Sequence, residues 1–96
     1  MLFRSVRRVV QSVEGVVGCE KIRTRGSADY VFMDLHLWID GQTPLAEAHR
    51  RSHVVKDKLM AAFPQLADVV IHIEPPHQES PKPKSQEPNP TQIPTV

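Results

Sequence analysis

The sequence predicts an α+β sandwich in the order α-β-β-α-β, a three-stranded mixed sheet with two helices on one face. Three observations carry it. Residues 30–40 alternate almost without a break between an apolar parity and a mixed one, and residues 69–74 repeat the pattern. Residues 2–14 and 44–63 instead place apolar residues three or four positions apart. A strand has a side-chain period of two and a helix one of 3.6, so the first pair reads as strands and the second as helices. A further strand before residue 30 completes a hairpin, and the last strand is reached through a helix, which calls for a right-handed crossover. That is a ferredoxin-like sandwich without its last strand.

The first helix carries Leu2, Phe3, Val6, Val9, Val10 and Val13 on one side and Arg4, Arg7, Arg8 and Gln11 on the other. Its valines lower intrinsic propensity, so packing must hold it. Gly15 is the residue expected to end it. The first strand, 16–25, has a less clear parity. Ile22 shares a side with Glu20 and Thr24, while Cys19 shares a side with Lys21, Arg23 and Arg25; Ile22 is placed toward the core. Gly26, Ser27, Ala28 and Asp29 make the turn.

The second strand puts Val31, Met33, Leu35, Leu37 and Ile39 on one face and Phe32, Asp34, His36, Trp38 and Asp40 on the other. A face that met only water would carry Lys, Glu or Thr. This one sets a carboxylate and an imidazole two residues apart between aromatic rings, a pattern of a face partly covered by a second copy of the chain. The second helix starts with Thr43 as N-cap and Pro44 at the first helical position. Glu47 suits the positive end of its dipole. Leu45, Ala48, Ser52, Val55, Leu59 and Ala62/Phe63 form its buried stripe, and Pro64 stops it. The third strand turns Val69, Ile71 and Ile73 one way and Val70, His72 and Glu74 the other.

Seven of the nine prolines lie from Pro75 onward, among Ser, Gln, Lys, Glu and Asn. Residues 1–75 therefore read as one small domain and 76–96 as a disordered, proline-rich tail. A domain of about 75 residues buries little surface, so oligomerisation would help it. The net charge is +1, from 12 Lys+Arg and 11 Asp+Glu, which gives no reason to expect a nucleic-acid partner. Arg4, Arg7 and Arg8 form the one basic cluster, read as a solvated helix face before a membrane-proximal one. A single cysteine, Cys19, excludes an internal disulfide and reads as a small buried residue before a ligand. No apolar run approaches a membrane span, and the start leads straight into a charged helix without a signal-peptide pattern. No Gly-rich phosphate loop, nucleophile elbow or zinc-protease motif is present, and Ser52 and His53 are helix neighbours that cannot face each other. The chain is not expected to be an enzyme.

Histidine is over-used. His36 and His72 supply imidazoles to the open sheet face, where Asp34 and Glu74 supply oxygens. Mixed nitrogen and oxygen donors suit Zn²⁺, Fe²⁺ or Mn²⁺ better than Ca²⁺ or Mg²⁺. Zn²⁺ leads in vitro. His49 and His53, four apart on a helix, can add two more ligands. His77, at the mouth of the tail, is the weakest candidate.

In this order and spacing, several segments together resemble the cytosolic C-terminal domain of cation diffusion facilitator transporters. They are Gly15-Val16-x-Gly18 with Ile22-Arg23-Thr24-Arg25, Asp34-Leu35-His36-Leu37, Leu45-x-Glu47-Ala48-His49, Phe63-Pro64, and the run from Asp68 to Pro75. The resemblance implies a metallochaperone-like fold that homodimerises, binds divalent metal at or near the dimer interface, and serves a transmembrane domain of the same transporter, in an inner or organelle membrane. It implies that His36, His49, His72 and Glu74 are binding residues, with His49 serving a metal held largely by the other protomer. Asp34 matches a carboxylate of the magnetosome-type branch. Glu20 stands where some zinc exporters have a further histidine, and His53 has no general counterpart. The implied mechanism is a switch: metal draws together the arms of a V-shaped dimer. The alternatives are a stand-alone metal carrier of the same fold and a purely structural dimerisation domain.

Overall fold

A central strand flanked by one antiparallel and one parallel neighbour defines the sheet of the computed structural model, which describes residues 1–76. The elements are α1 (Phe3–Gln11), β1 (Gly18–Ser27), β2 (Tyr30–Trp38), α2 (Leu45–Ala62) and β3 (Leu66–Glu74), with strand order β1-β2-β3. β1 runs antiparallel to β2, and β3 runs parallel to it. The mixed α+β sandwich is the predicted one. The tail from His77 onward, with the expectations placed on it, lies outside the described residues.

β2 organises the core because its apolar parity is unbroken. Met33, Leu35, Leu37 and Ile39 are at most 2 % exposed, and Val6 and Val10 of α1 and Val55 and Leu59 of α2 cover them at 0 %. Burying such side chains contributes roughly 1.5–3 kcal/mol each. Two cross-element polar contacts brace the layers. Arg7 Nη1 donates to the Cys19 carbonyl at 3.2 Å, which gives one of the three clustered arginines a structural role. Lys56 Nζ meets Asp68 Oδ1 at 2.9 Å and ties α2 to β3.

Several local expectations are corrected. α1 ends at Gln11, capped by Ser12, whose Oγ donates to the Val9 carbonyl at 2.6 Å; Gly15 instead takes φ +85° in the following turn. Leu2 and Phe3, at the start of α1, are 57 % and 40 % exposed. Pro44 is extended, with φ −55° and ψ 143°, so it is the N-cap and Leu45 is the first helical residue. Thr43 belongs to a turn built on Asp40, whose Oδ1 accepts from the Gln42 N–H at 2.7 Å. Leu45 is 84 % exposed and Ala62 is exposed too, leaving Ala48, Ser52, Val55 and Leu59 as the buried stripe. Strand pairing also runs further than expected, through Ser27, because a two-residue turn at Ala28 and Asp29 closes the hairpin.

The largest difference is in β1. Glu20 pairs with His36 and Arg23 with Asp34, so β1 spends one more residue than β2 over this interval. That is a β-bulge, and it reverses the parity of everything beyond it. Lys21 takes φ 54° there. Cys19 and Ile22, which strict alternation puts on opposite faces, are therefore both buried, at 7 % and 8 %. Glu20 leaves Ile22's side and joins that of His36.

Candidate metal centre

The open face of the sheet is assembled by register. In the parallel pair, His36 of β2 lies beside His72 of β3, and Trp38 beside Glu74. Residues at paired positions point to the same side, so both imidazoles and the Glu74 carboxylate share one face. The two rings lie 4.9 Å apart between centroids, tilted by 31°. His36 Nδ1–H donates to Glu74 Oε2. An ionised carboxylate only accepts, so Nδ1 carries the proton of this bond, and in the neutral ring Nε2 then holds the lone pair, the arrangement that carboxylates impose on metal-binding histidines. The bulge brings Glu20 to the same face opposite His36. No sequence signal marked this, because the residue that takes the left-handed conformation is a lysine, not a glycine.

Asp34 sits one step further along β2. It faces Arg25 at 3.8 Å and lines, with Arg25, Phe32, Asp68, Val70 and His72, a cleft of about 450 Å³. Its charge is partly matched by that guanidinium, but it shares the cleft with His72.

His49 and His53 stand elsewhere. With Ser52, Lys56, Val69 and Ile71 they line a separate pocket of about 180 Å³. Val69 and Ile71 have the parity opposite to His72, so this pocket is on the helix side of the sheet. His53 Nε2 and His49 Nε2 are 3.0 Å apart. The six predicted donors thus fall into two groups: Asp34, His36, His72 and Glu74 on the open face, and His49 with His53 on the exposed side of α2 next to β3. Among the described residues of one protomer, no three His, Cys, Asp or Glu side chains form a ready metal-holding group. Cys19 lies within the core, where burial pushes its thiol pKa up against the opposing pull of Arg7.

The family model for the cation efflux protein cytoplasmic domain matches residues 1–76. The chain is 38 % identical over 72 residues to the cation-efflux pump FieF of Pectobacterium atrosepticum, covering 75 % of this chain and 24 % of that protein. It is 30 % identical over 70 residues to metal tolerance protein C1 of Arabidopsis thaliana, covering 73 % of this chain and 15 % of the relative. The chain thus spans less than a quarter of the length of these relatives. Among solved structures, the metal-bound C-terminal domain of the CzcD transporter from Thermotoga maritima superposes with a TM-score of 0.70 at 20 % identity, over 76 % of this chain and 85 % of that one. The MamM C-terminal domain gives 0.71 at 16 % identity, over 76 % and 92 %. Both share its fold. Among the described residues, no helix is long and apolar enough to cross a membrane. With the match running through every element of the sandwich, the chain belongs to the cytoplasmic-domain family of cation efflux proteins, the cation diffusion facilitators.

Proposed function

We propose that this chain is the homodimerising, metal-responsive cytoplasmic domain of a divalent-cation transporter, with residues 1–75 as the working domain and 76–96 as an appended tail. The observation that carries this reading is the His36–His72–Glu74 cluster on a face with half-buried aromatic neighbours. His36 Nε2, His72 and the second oxygen of Glu74 are donors of the kind that Zn²⁺, Fe²⁺ and Mn²⁺ accept. Glu20 and Asp34 flank them as further oxygen donors. This donor set fits a transition metal but leaves its coordination open within one protomer, which favours completion by a second copy. The cation-efflux pump FieF and the metal-bound CzcD domain support the same chemistry by kinship.

Closure then follows from differential affinity. A metal that bridges two protomers binds the closed dimer more tightly than the open one and shifts the balance by that difference. In the whole transporter the shift is passed to the membrane helices. Titration of the chain with Zn²⁺, Mn²⁺ and Fe²⁺ by calorimetry, with small-angle scattering on the same samples, tests this. Binding accompanied by compaction of a dimer is expected, and both should be lost in His36→Ala/His72→Ala. Unchanged affinity and shape in that variant would sink the reading. Binding without compaction would make the chain a carrier, and no binding would leave dimerisation alone.

A further inference from the structure

We propose that Arg25 is a tethered cation at one end of the open face, which a divalent metal must displace before it can take Asp34 as a ligand. The inference rests on the open-face reading and adds to it a residue that sets metal preference.

The bulge in β1 brings this arginine to the site. Strict alternation would keep Arg23 and Arg25 on the side of Cys19, which is buried. One extra residue between Glu20 and Arg23 reverses the parity, so Arg23 comes opposite Asp34 and Arg25 opposite Phe32. Paired residues share a face, and a long side chain reaches its diagonal neighbour as well. The Arg25 guanidinium accordingly lies over the Phe32 ring, 5.9 Å from its centroid, with Nη1 3.8 Å from Asp34 Oδ1. The ring fixes where the charge sits, and the carboxylate supplies the attraction.

A contact of 3.8 Å is an ion pair without a hydrogen bond, and the Arg25 side chain is 74 % exposed. It is strong enough to place a charge in the cleft and weak enough to yield to a cation of twice the charge. The other carboxylate of that cleft, Asp68, is held by Lys56 at 2.9 Å, so Asp34 is the one whose release changes the donor set. At the other end of the face Glu74 bonds His36, and among the described residues no lysine or arginine pairs with it. The face is thus graded. The imidazoles of His36 and His72 are open to metal, while the Asp34 oxygens are guarded. Mn²⁺ depends on oxygen donors more than Zn²⁺ does, so the guard acts more strongly against Mn²⁺.

Arg25→Gln keeps a polar side chain and removes the charge. Mn²⁺ and Zn²⁺ binding to the 96-residue chain is followed by equilibrium dialysis for wild type, Arg25→Gln, Asp34→Asn and the double variant, with circular dichroism to check the fold. Arg25→Gln is expected to raise Mn²⁺ affinity about tenfold and Zn²⁺ affinity by no more than about threefold. In the Asp34→Asn background the same substitution is expected to change neither by more than about twofold. Unchanged Mn²⁺ affinity in Arg25→Gln overturns the proposal. So does an equal gain for both ions, or a gain that survives Asp34→Asn, since either would report only the general field of the protein. Failure of the open-face reading shows separately, as no binding by wild type or as affinity unchanged in His36→Ala/His72→Ala, and it would remove the site that Arg25 guards.

Discussion

Glu47 shows how one side chain can serve two neighbours. Its carboxylate accepts from Arg50 and from Arg51, whose Nε lies 2.9 Å from Oε2, while Arg51 Nη1 reaches the Gly15 carbonyl at 3.2 Å. The charge bridge thus joins the first turns of α2 to the loop after α1. The Arg50 hydrogen bond first, and the Arg51 bond second, lower the Glu47 pKa from 4.5 to about 2. With the folded value below the unfolded one, this stabilisation is fully present above pH 4.5 and is lost as pH falls toward 2. In acid titrations followed by circular dichroism, Glu47→Gln is therefore expected to show a shallower loss of stability across that window. The surface position keeps the effect small. Asp68 works in the same direction, lowered mainly by its hydrogen bond from Lys56.

Single elements explain what could be read in the chain and what could not. β2 was legible residue by residue because its alternation is unbroken and its apolar face is the core. The order of elements, the buried Ala48-Ser52-Val55-Leu59 stripe and the sharing of one face by His36, His72 and Glu74 follow from the same periodicities. β1 was not legible beyond Glu20. A bulge breaks the period of two, and no glycine marks it, so alternation could not reconcile Cys19 and Ile22, although each by itself was read as buried. The start of α2 misled for a related reason: a threonine before a proline has the composition of a cap, but the extended backbone of Pro44 takes the capping place itself. The bulge also carries a measurable cost. A non-glycine residue in the left-handed region loses roughly 1–2 kcal/mol, part of which glycine returns as unfolded-state entropy. Lys21→Gly is expected to raise stability by about 0.5–1 kcal/mol, seen as a higher urea midpoint at an unchanged slope. An unchanged or lower midpoint would show that the lysine is not strained.

At the scale of the whole molecule, the helices cover one face of the sheet and leave the other open, the face we propose meets a second copy. Val70, 49 % exposed, stands on that face in the edge strand β3, beside Asp34 of β2 and two residues before His72. A charge there would be desolvated on association. Val70→Glu is expected to shift the monomer–dimer balance in sedimentation velocity by roughly tenfold or more toward monomer, with the protomer's fold unchanged. No shift would place the contact elsewhere. β3 has a consequence of a different kind. Its odd-numbered residues, Val69 and Ile71, floor the pocket beneath α2, and its even-numbered ones, His72 and Glu74, furnish the open face. The strand is thus a party wall one residue thick between two rooms, and neither tenant can lean on it in private.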